Sequence, residues 1–388
     1  EGDLESYFIT EYWLIDQYVG DTLWTWGQNS NGQLASNDLV TRSTPITTFS
    51  GGTNWVTQPA INAGRGQSGG IKSDGTLWVW GNNNNGQLGT NDLILKSTPV
   101  TTFAGGNNWK QISCGLSHNA AVKTDGTLWT WGQNSLGALG TNDAITRTTP
   151  VTTFTGGANW KQVACGSQTT AAIKLDGTLW TWGQNSYGQL GDNTTTSRST
   201  PVTTFLGGTN WKQVGCGFTH SGAVTTSGTL WNWGLNSYGQ LGVNDTIARS
   251  TPVTTFIGGT NWKQIALGNL FTTAIKTDGT LWSWGKNLNG QLGDNTSANK
   301  TTPVTTFTGG TNWKQVSAGG EFAAATKTDG TLWSWGFNST GQMGVNDIIN
   351  RSTPVTTIIG GTNWKQLSCG GAYIVAVTSG TDPTFFIA

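Results

Sequence analysis

Apolar and polar positions alternate in short runs along this chain, and clusters of Gly, Asn and Asp interrupt every run. Residues 176–191, DGTLWTWGQNSYGQLG, show the pattern, with Trp180 and Trp182 two positions apart. A spacing of two puts both indoles on one face of a strand, where they fill a layer between packed sheets. Four short strands follow from the same alternation, over residues 178–182, 200–205, 211–216 and 221–225. Asn-x-x-Gly closes the first, Gly-Gly-Thr-Asn precedes the third, and Asp-Gly or Ser-Gly follows the fourth. Asp-Gly between apolar runs predicts a tight type I′ hairpin. No stretch has helical periodicity.

The pattern recurs seven times, with the first Trp of the pair at Trp24, Trp78, Trp129, Trp180, Trp231, Trp282 and Trp333. The first step is 54 residues and every later one is 51, so the units run 20–73, 74–124, 125–175, 176–226, 227–277, 278–328 and 329–379. Four strands at this period, seven times over, predict an all-β, seven-bladed β-propeller. The Asp-Gly hairpin pairs the last strand of one unit with the first of the next. Residues 22–26 then lack an upstream partner and residues 373–378 a downstream one, so the ring is expected to close by pairing the N- and C-terminal strands. The first unit's three extra residues, around Pro59, read as a bulge or a longer loop.

Composition changes this picture little. Of 388 residues, 57 are Gly and 22 Trp, and only 10% are charged, against about 25% in ordinary soluble domains. No apolar run approaches the ~20 residues a membrane span needs. Cys114, Cys165, Cys216 and Cys369 share one slot that Leu267 and Ala318 fill elsewhere, so buried free thiols are expected. Charge is more informative. Net charge is zero, yet residues 1–19 carry five acids and no base, while 20–379 hold all 20 bases and 14 acids. Residues 1–19 read as an acidic, aromatic arm outside the repeats, either packed on the propeller's own side or anchoring it to another protein, with Tyr7, Phe8, Tyr12, Trp13, Leu14 and Ile15 as anchoring candidates. Residues 380–388 are a C-terminal tail.

Cys114-Gly115-x-x-His118, Ala120-Ala121-Val122, Asp125-Gly126 and Trp131-Gly132-x-Asn134-x-x-Gly137-x-Leu139-Gly140 resemble the regulator of chromosome condensation repeat family. The resemblance spans all seven units, and their uniformity is most similar to bacterial and phage versions. It implies a seven-bladed propeller and a habit of binding proteins. Members include a guanine-nucleotide exchange factor, a β-lactamase inhibitor and a plant ultraviolet photoreceptor, so one shape serves several activities. The exchange factor's basic tail is absent here, as is the photoreceptor's Gly-Trp-Arg-His-Thr motif.

Subtracting the repeat leaves few candidates for chemistry. Arg65 and Lys286 are the only bases outside three recurring slots, and Asp21 and Glu321 the only off-pattern acids of the repeats. His118 and His220 share a slot with Gln67, Thr169, Phe271, Phe322 and Tyr373, as structural hydrogen-bonders would. The Asn-Asp and Asp-Asn pairs read as Asx turns, since they lack the further carboxylates of a calcium loop. A surplus of six charges over seven units is no nucleic-acid patch. No catalytic residue, cofactor or metal site is expected.

One tract varies completely from unit to unit: the turn between the third and fourth strands. Seven such turns should ring one mouth of the propeller, and loops on a rigid scaffold carry recognition. The candidate ligand-binding residues are Arg65, Gln67, Leu116, His118, Gln168, Phe218, His220, Leu270, Glu321 and Tyr373. The resulting expectation is a non-enzymatic binding propeller on a bacteriophage virion surface or otherwise extracellular. It binds a protein or host-surface ligand on one face and a carrier protein through the arm. The alternatives are a secreted or surface bacterial propeller that binds a protein, and a GTPase exchange factor, which needs no catalytic side chain.

Overall fold

Each Asp-Gly pair does make a hairpin, though not the expected one. In a computed structural model that describes residues 21–49, 54–55 and 60–379, the Gly177 N–H donates to the Lys174 carbonyl and the Lys174 N–H to the Thr178 carbonyl. Only Gly177 takes positive φ, at 81°. The turn is therefore type I followed by a glycine bulge, not type I′. Asp176 selects it: its carboxylate accepts from both the Thr178 amide and the Thr178 hydroxyl. A Cβ on Gly177 would also lie 2.1 Å from the Thr209 carbonyl oxygen, so glycine is required twice over.

The hairpin joins neighbouring units into one blade. Blade III runs, from the axis outwards, Trp160–Cys165, Thr169–Lys174, Leu179–Gly183 and Arg198–Thr203, each strand antiparallel to the next. The strands differ from the expected bounds by one or two residues at their ends. The other inner strands are Ile61–Ala63 (blade I), Trp109–Cys114 (II), Trp211–Cys216 (IV), Trp262–Leu267 (V), Trp313–Ala318 (VI) and Trp364–Cys369 (VII). Blade VII is shared by both chain ends: Thr22–Gly27 pairs with Tyr373–Thr378, Thr22 opposite Thr378 and Gly27 opposite Tyr373. The ring closes as expected. The extra residues of the first unit fall largely outside the described residues, as do the arm and the tail.

Both indoles of each pair enter one inter-blade layer, but a third indole meets them. Trp160 packs edge-on against Trp180 and Trp182, with centroids 6.4 and 6.1 Å apart. Edge-to-face contact suits the quadrupole of the ring, and each buried indole adds a few kcal/mol of hydrophobic stabilisation. This face lies against Ala120, Val122 and Leu128 of blade II, and the Trp182 Nε1–H donates to the Ala138 carbonyl across the seam. Lys174 caps the layer, its Nζ 4.8 and 4.4 Å from the Trp160 and Trp180 centroids.

At the axis a glutamine ties six of the seven seams. The Gln264 Nε2 donates to the Val316 carbonyl while its Oε1 accepts from the Val316 amide, at 3.1 and 3.2 Å. Gln111, Gln162, Gln213 and Gln315 repeat the two-way bond. Between blades I and II the slot is Ala60, and Asn62 takes over by accepting from the Cys114 amide.

Candidate protein-binding site

The inner strands converge on one mouth of the channel, where a ring of glycines lets them touch. A Cβ on Gly115 would lie 2.5 Å from the Gly166 carbonyl oxygen. Backbone bonds then pass from turn to turn: Arg65 N–H to Gly115 O, Leu116 N–H to Gly166 O, Phe218 N–H to Gly268 O. The variable tract is thus tied from turn to turn through its main chain, which leaves the side chains that face out free to differ. These turns line a polar channel of about 620 Å³.

The structure divides the ten candidate residues. Arg65 is exposed, and Leu116, Gln168, Phe218, Leu270 and Glu321 are half-buried at the mouth. Gln67, His118, His220 and Tyr373 point sideways into the blade seams and are almost fully buried. A ligand at the mouth does not reach these four. The Gln67 Nε2 donates to the Gly115 carbonyl, and the Tyr373 hydroxyl bonds the Gln67 carbonyl and Ser68. The third residue of each turn leans across the seam because the strand pleat sends alternate side chains to opposite faces.

The two imidazoles show the same logic. The His118 Nε2 lies 2.9 Å from the Thr170 hydroxyl, which itself donates to the Ala138 carbonyl. A hydroxyl that has given its only proton must accept, so Nε2 carries the hydrogen. His220 repeats this with Thr272 and the Gln240 carbonyl. Burial disfavours the charged ring and pulls the pKa values down to about 4 for His118 and about 3 for His220.

The free cysteines line the channel wall, and burial pushes the Cys216 and Cys369 thiols up to about 12. Such thiols carry little thiolate at neutral pH. The aspartates of the outer loops are fully engaged. The Asp143 carboxylate accepts from the Ile145 amide as an Asx turn and pairs with Arg147 at 2.6 Å.

Three of the four off-pattern charges meet at this mouth. Arg65 of blade I reaches over the entrance to blade IV, its guanidinium carbon 6.0 Å from the Phe218 ring centroid. Glu321 pairs with Lys286 and accepts from the Asn289 side chain at 2.5 Å. Lys286 also stands 6.0 Å from the Tyr238 ring. Lys286 stands out in the sequence as an off-pattern base, but neither it nor Asn289 or Tyr238 is among the ten candidate ligand-binding residues. The signal was present: the residue after Trp-x-Trp-Gly also varies, as Gln28, Asn82, Gln133, Gln184, Leu235, Lys286 and Phe337.

A family model for the RCC1-like domain matches residues 22–379, the whole ring. The chain belongs to the RCC1-like family. This RCC1-like chain is 32% identical to the ultraviolet-B receptor UVR8 of Arabidopsis thaliana over 342 residues, 86% of this chain and 77% of the receptor. It is 31% identical to the mouse E3 ubiquitin-protein ligase HERC2 over 72% of this chain but only 6% of that much longer protein. Among solved structures, yeast RCC1 (Prp20), bound to Kap60, superposes with a TM-score of 0.82 at 20% identity, covering 95% of this chain and 91% of that one. A second structure, of Prp20p from Saccharomyces cerevisiae, was described with its binding to Gsp1p and histones; its TM-score is 0.80.

Proposed function

We propose that this chain is a non-enzymatic binding protein that grips a protein partner at the variable mouth, through Arg65, Phe218, Glu321 and the half-buried residues between them. The observation that carries the reading is the placement of Arg65, Lys286 and Glu321, charges the repeat does not require, around one channel entrance with Phe218 and Tyr238 among them. Arg and aromatic side chains beside a rigid backbone are the usual centres of interface energy. Binding of proteins by relatives of the same fold agrees with it. The finer reading, a virion or other extracellular surface, is supported by the low charge and near-identical repeats. The relatives named above are eukaryotic.

The test is direct. A partner captured by the intact chain and then purified should bind the R65A/F218A/E321A variant at least about 2 kcal/mol more weakly, with the melting curve unchanged. Equal affinity would remove the mouth from the reading.

A further inference from the structure

The opposite mouth, where the Asp-Gly hairpins lie, differs sharply in charge. Around the variable mouth and the outer loops nine bases meet eight acids, and the seven recurring pairs there cancel. The hairpin mouth holds eleven lysines against six aspartates, Asp21 included, a surplus of five and nearly all the excess of the ring. Six of these, Lys110, Lys161, Lys212, Lys263, Lys314 and Lys365, each stand one residue into an inner strand and are exposed. They circle the channel entrance. Further out, Phe205 and its counterparts, 62% exposed in this blade, stand two residues past the end of the outer strands.

The chain enters the ring on this side. Thr22–Gly27 begins at the hairpin mouth, and Asp21 lies 3.6 Å from Lys365. From that strand the inner strand of the same blade is two ladder steps, about 10 Å, away. Nineteen residues extended reach about 60 Å. Those nineteen carry five acids, no base and Tyr7, Phe8, Tyr12 and Trp13.

We propose that residues 1–19 dock on their own molecule across the hairpin-side channel entrance, their acids on the lysine ring and their aromatics against the exposed phenylalanines. Attachment through a short tether makes the effective concentration high, so weak contacts suffice. Of the two places the sequence allows, its own ring and a carrier, the arm thereby takes the first and leaves the variable mouth open. The inference is independent of what that mouth binds.

A zero-length carbodiimide cross-link between carboxylate and lysine tests it on the full chain, with unlabelled and ¹⁵N-labelled protein mixed to separate links within a chain from links between chains. Links from Glu5, Glu11 and Asp16 to the six ring lysines, within one chain, are expected. Lys96, Lys286 and Lys300, on the variable-mouth side, should give none. A Glu-specific protease should cut after Glu11 at least tenfold faster in K161E/K212E/K263E, and in about 0.5 M salt, than in the parent at low salt. Because these side chains are exposed, the variant's melting curve reports that it is folded. Links confined to pairs of chains, links shared equally with Lys96 and Lys286, or cleavage indifferent to both salt and the lysines would each overturn the proposal.

Discussion

Arg65 and Phe218 face each other across the variable mouth, 6.0 Å from guanidinium carbon to ring centroid, although 153 residues of chain separate them. They sit three blades apart in a ring of seven, so neither residue's own blade needs the contact. At this distance and exposure a cation–π pair contributes about 0.5–1 kcal/mol at most. R65A, F218A and the double variant should therefore unfold in urea with a coupling below about 1 kcal/mol. A coupling of several kcal/mol would make the pair a structural strut.

Ring closure depends on a strand that pairs on both sides. Tyr373–Thr378 bonds Thr22–Gly27 and Trp364–Cys369, and Trp364 packs on Trp24 and Trp26 at 6.3 and 5.9 Å. Truncation before residue 373 should abolish the single cooperative melt and yield larger species on size exclusion, since two edges become exposed. A melt within about 2 °C of the intact chain would show that the ring does not need its clasp.

The buried imidazoles predict acid sensitivity in a defined window. Their folded pKa values, about 4 and about 3, lie below the ordinary 6.5. The unfolded chain takes up protons first, so the contribution is full above pH 6.5 and is lost as pH falls towards 4 and then 3. The two sites are worth roughly 3 kcal/mol for His118 and roughly 5 kcal/mol for His220 over their ranges. The aspartates, such as Asp176 held below 3.8 by Thr178, act lower still. H118T/H220T, which copies Thr169 of the same slot, should flatten the urea stability profile between pH 6.5 and 4. An unchanged slope would assign the window elsewhere.

Two blades lack the lysine that caps the indole layer: Thr225 and Thr378 stand where Lys174 does in blade III. In blade IV the hairpin residue is Ser227 in place of Asp176, and Thr225 bonds to it. T225K/S227D should restore the cap over Trp211 and Trp231 and raise stability by about 1 kcal/mol in urea. A loss would show that the Thr225–Ser227 bond matters more.

The glutamine ties should be costly to remove. In Gln264→Leu the Val316 amide and carbonyl lose their partners across the seam, a penalty of about 1–3 kcal/mol. Urea unfolding reads it, and a change below about 0.5 kcal/mol would mean that water replaces the side chain without loss.

Much of this molecule was fixed by local chemistry. The double Trp at a spacing of two set the buried face of each third strand, and Asp-Gly set the chain reversal that joins units into blades. Counting units then left residues 22–26 and 373–378 as unmatched halves, so closure was legible without coordinates. Even the hairpin error was small, because Asp176 prefers to hold Thr178 and only one positive φ results.

What one sequence could not give is direction across a seam. Gln67, His118, His220 and Tyr373 share the variable turns with Arg65 and Phe218, yet the pleat turns the first four into the wall and leaves the other two at the mouth. Self-alignment reports that a position varies, and a buried seam partner varies with its neighbour as freely as a surface group does. The pairing of Lys286 with Glu321 and the meeting of Arg65 with Phe218 likewise join different blades. Such contacts follow from the radius of the closed ring, a tertiary quantity that no 51-residue repeat carries alone.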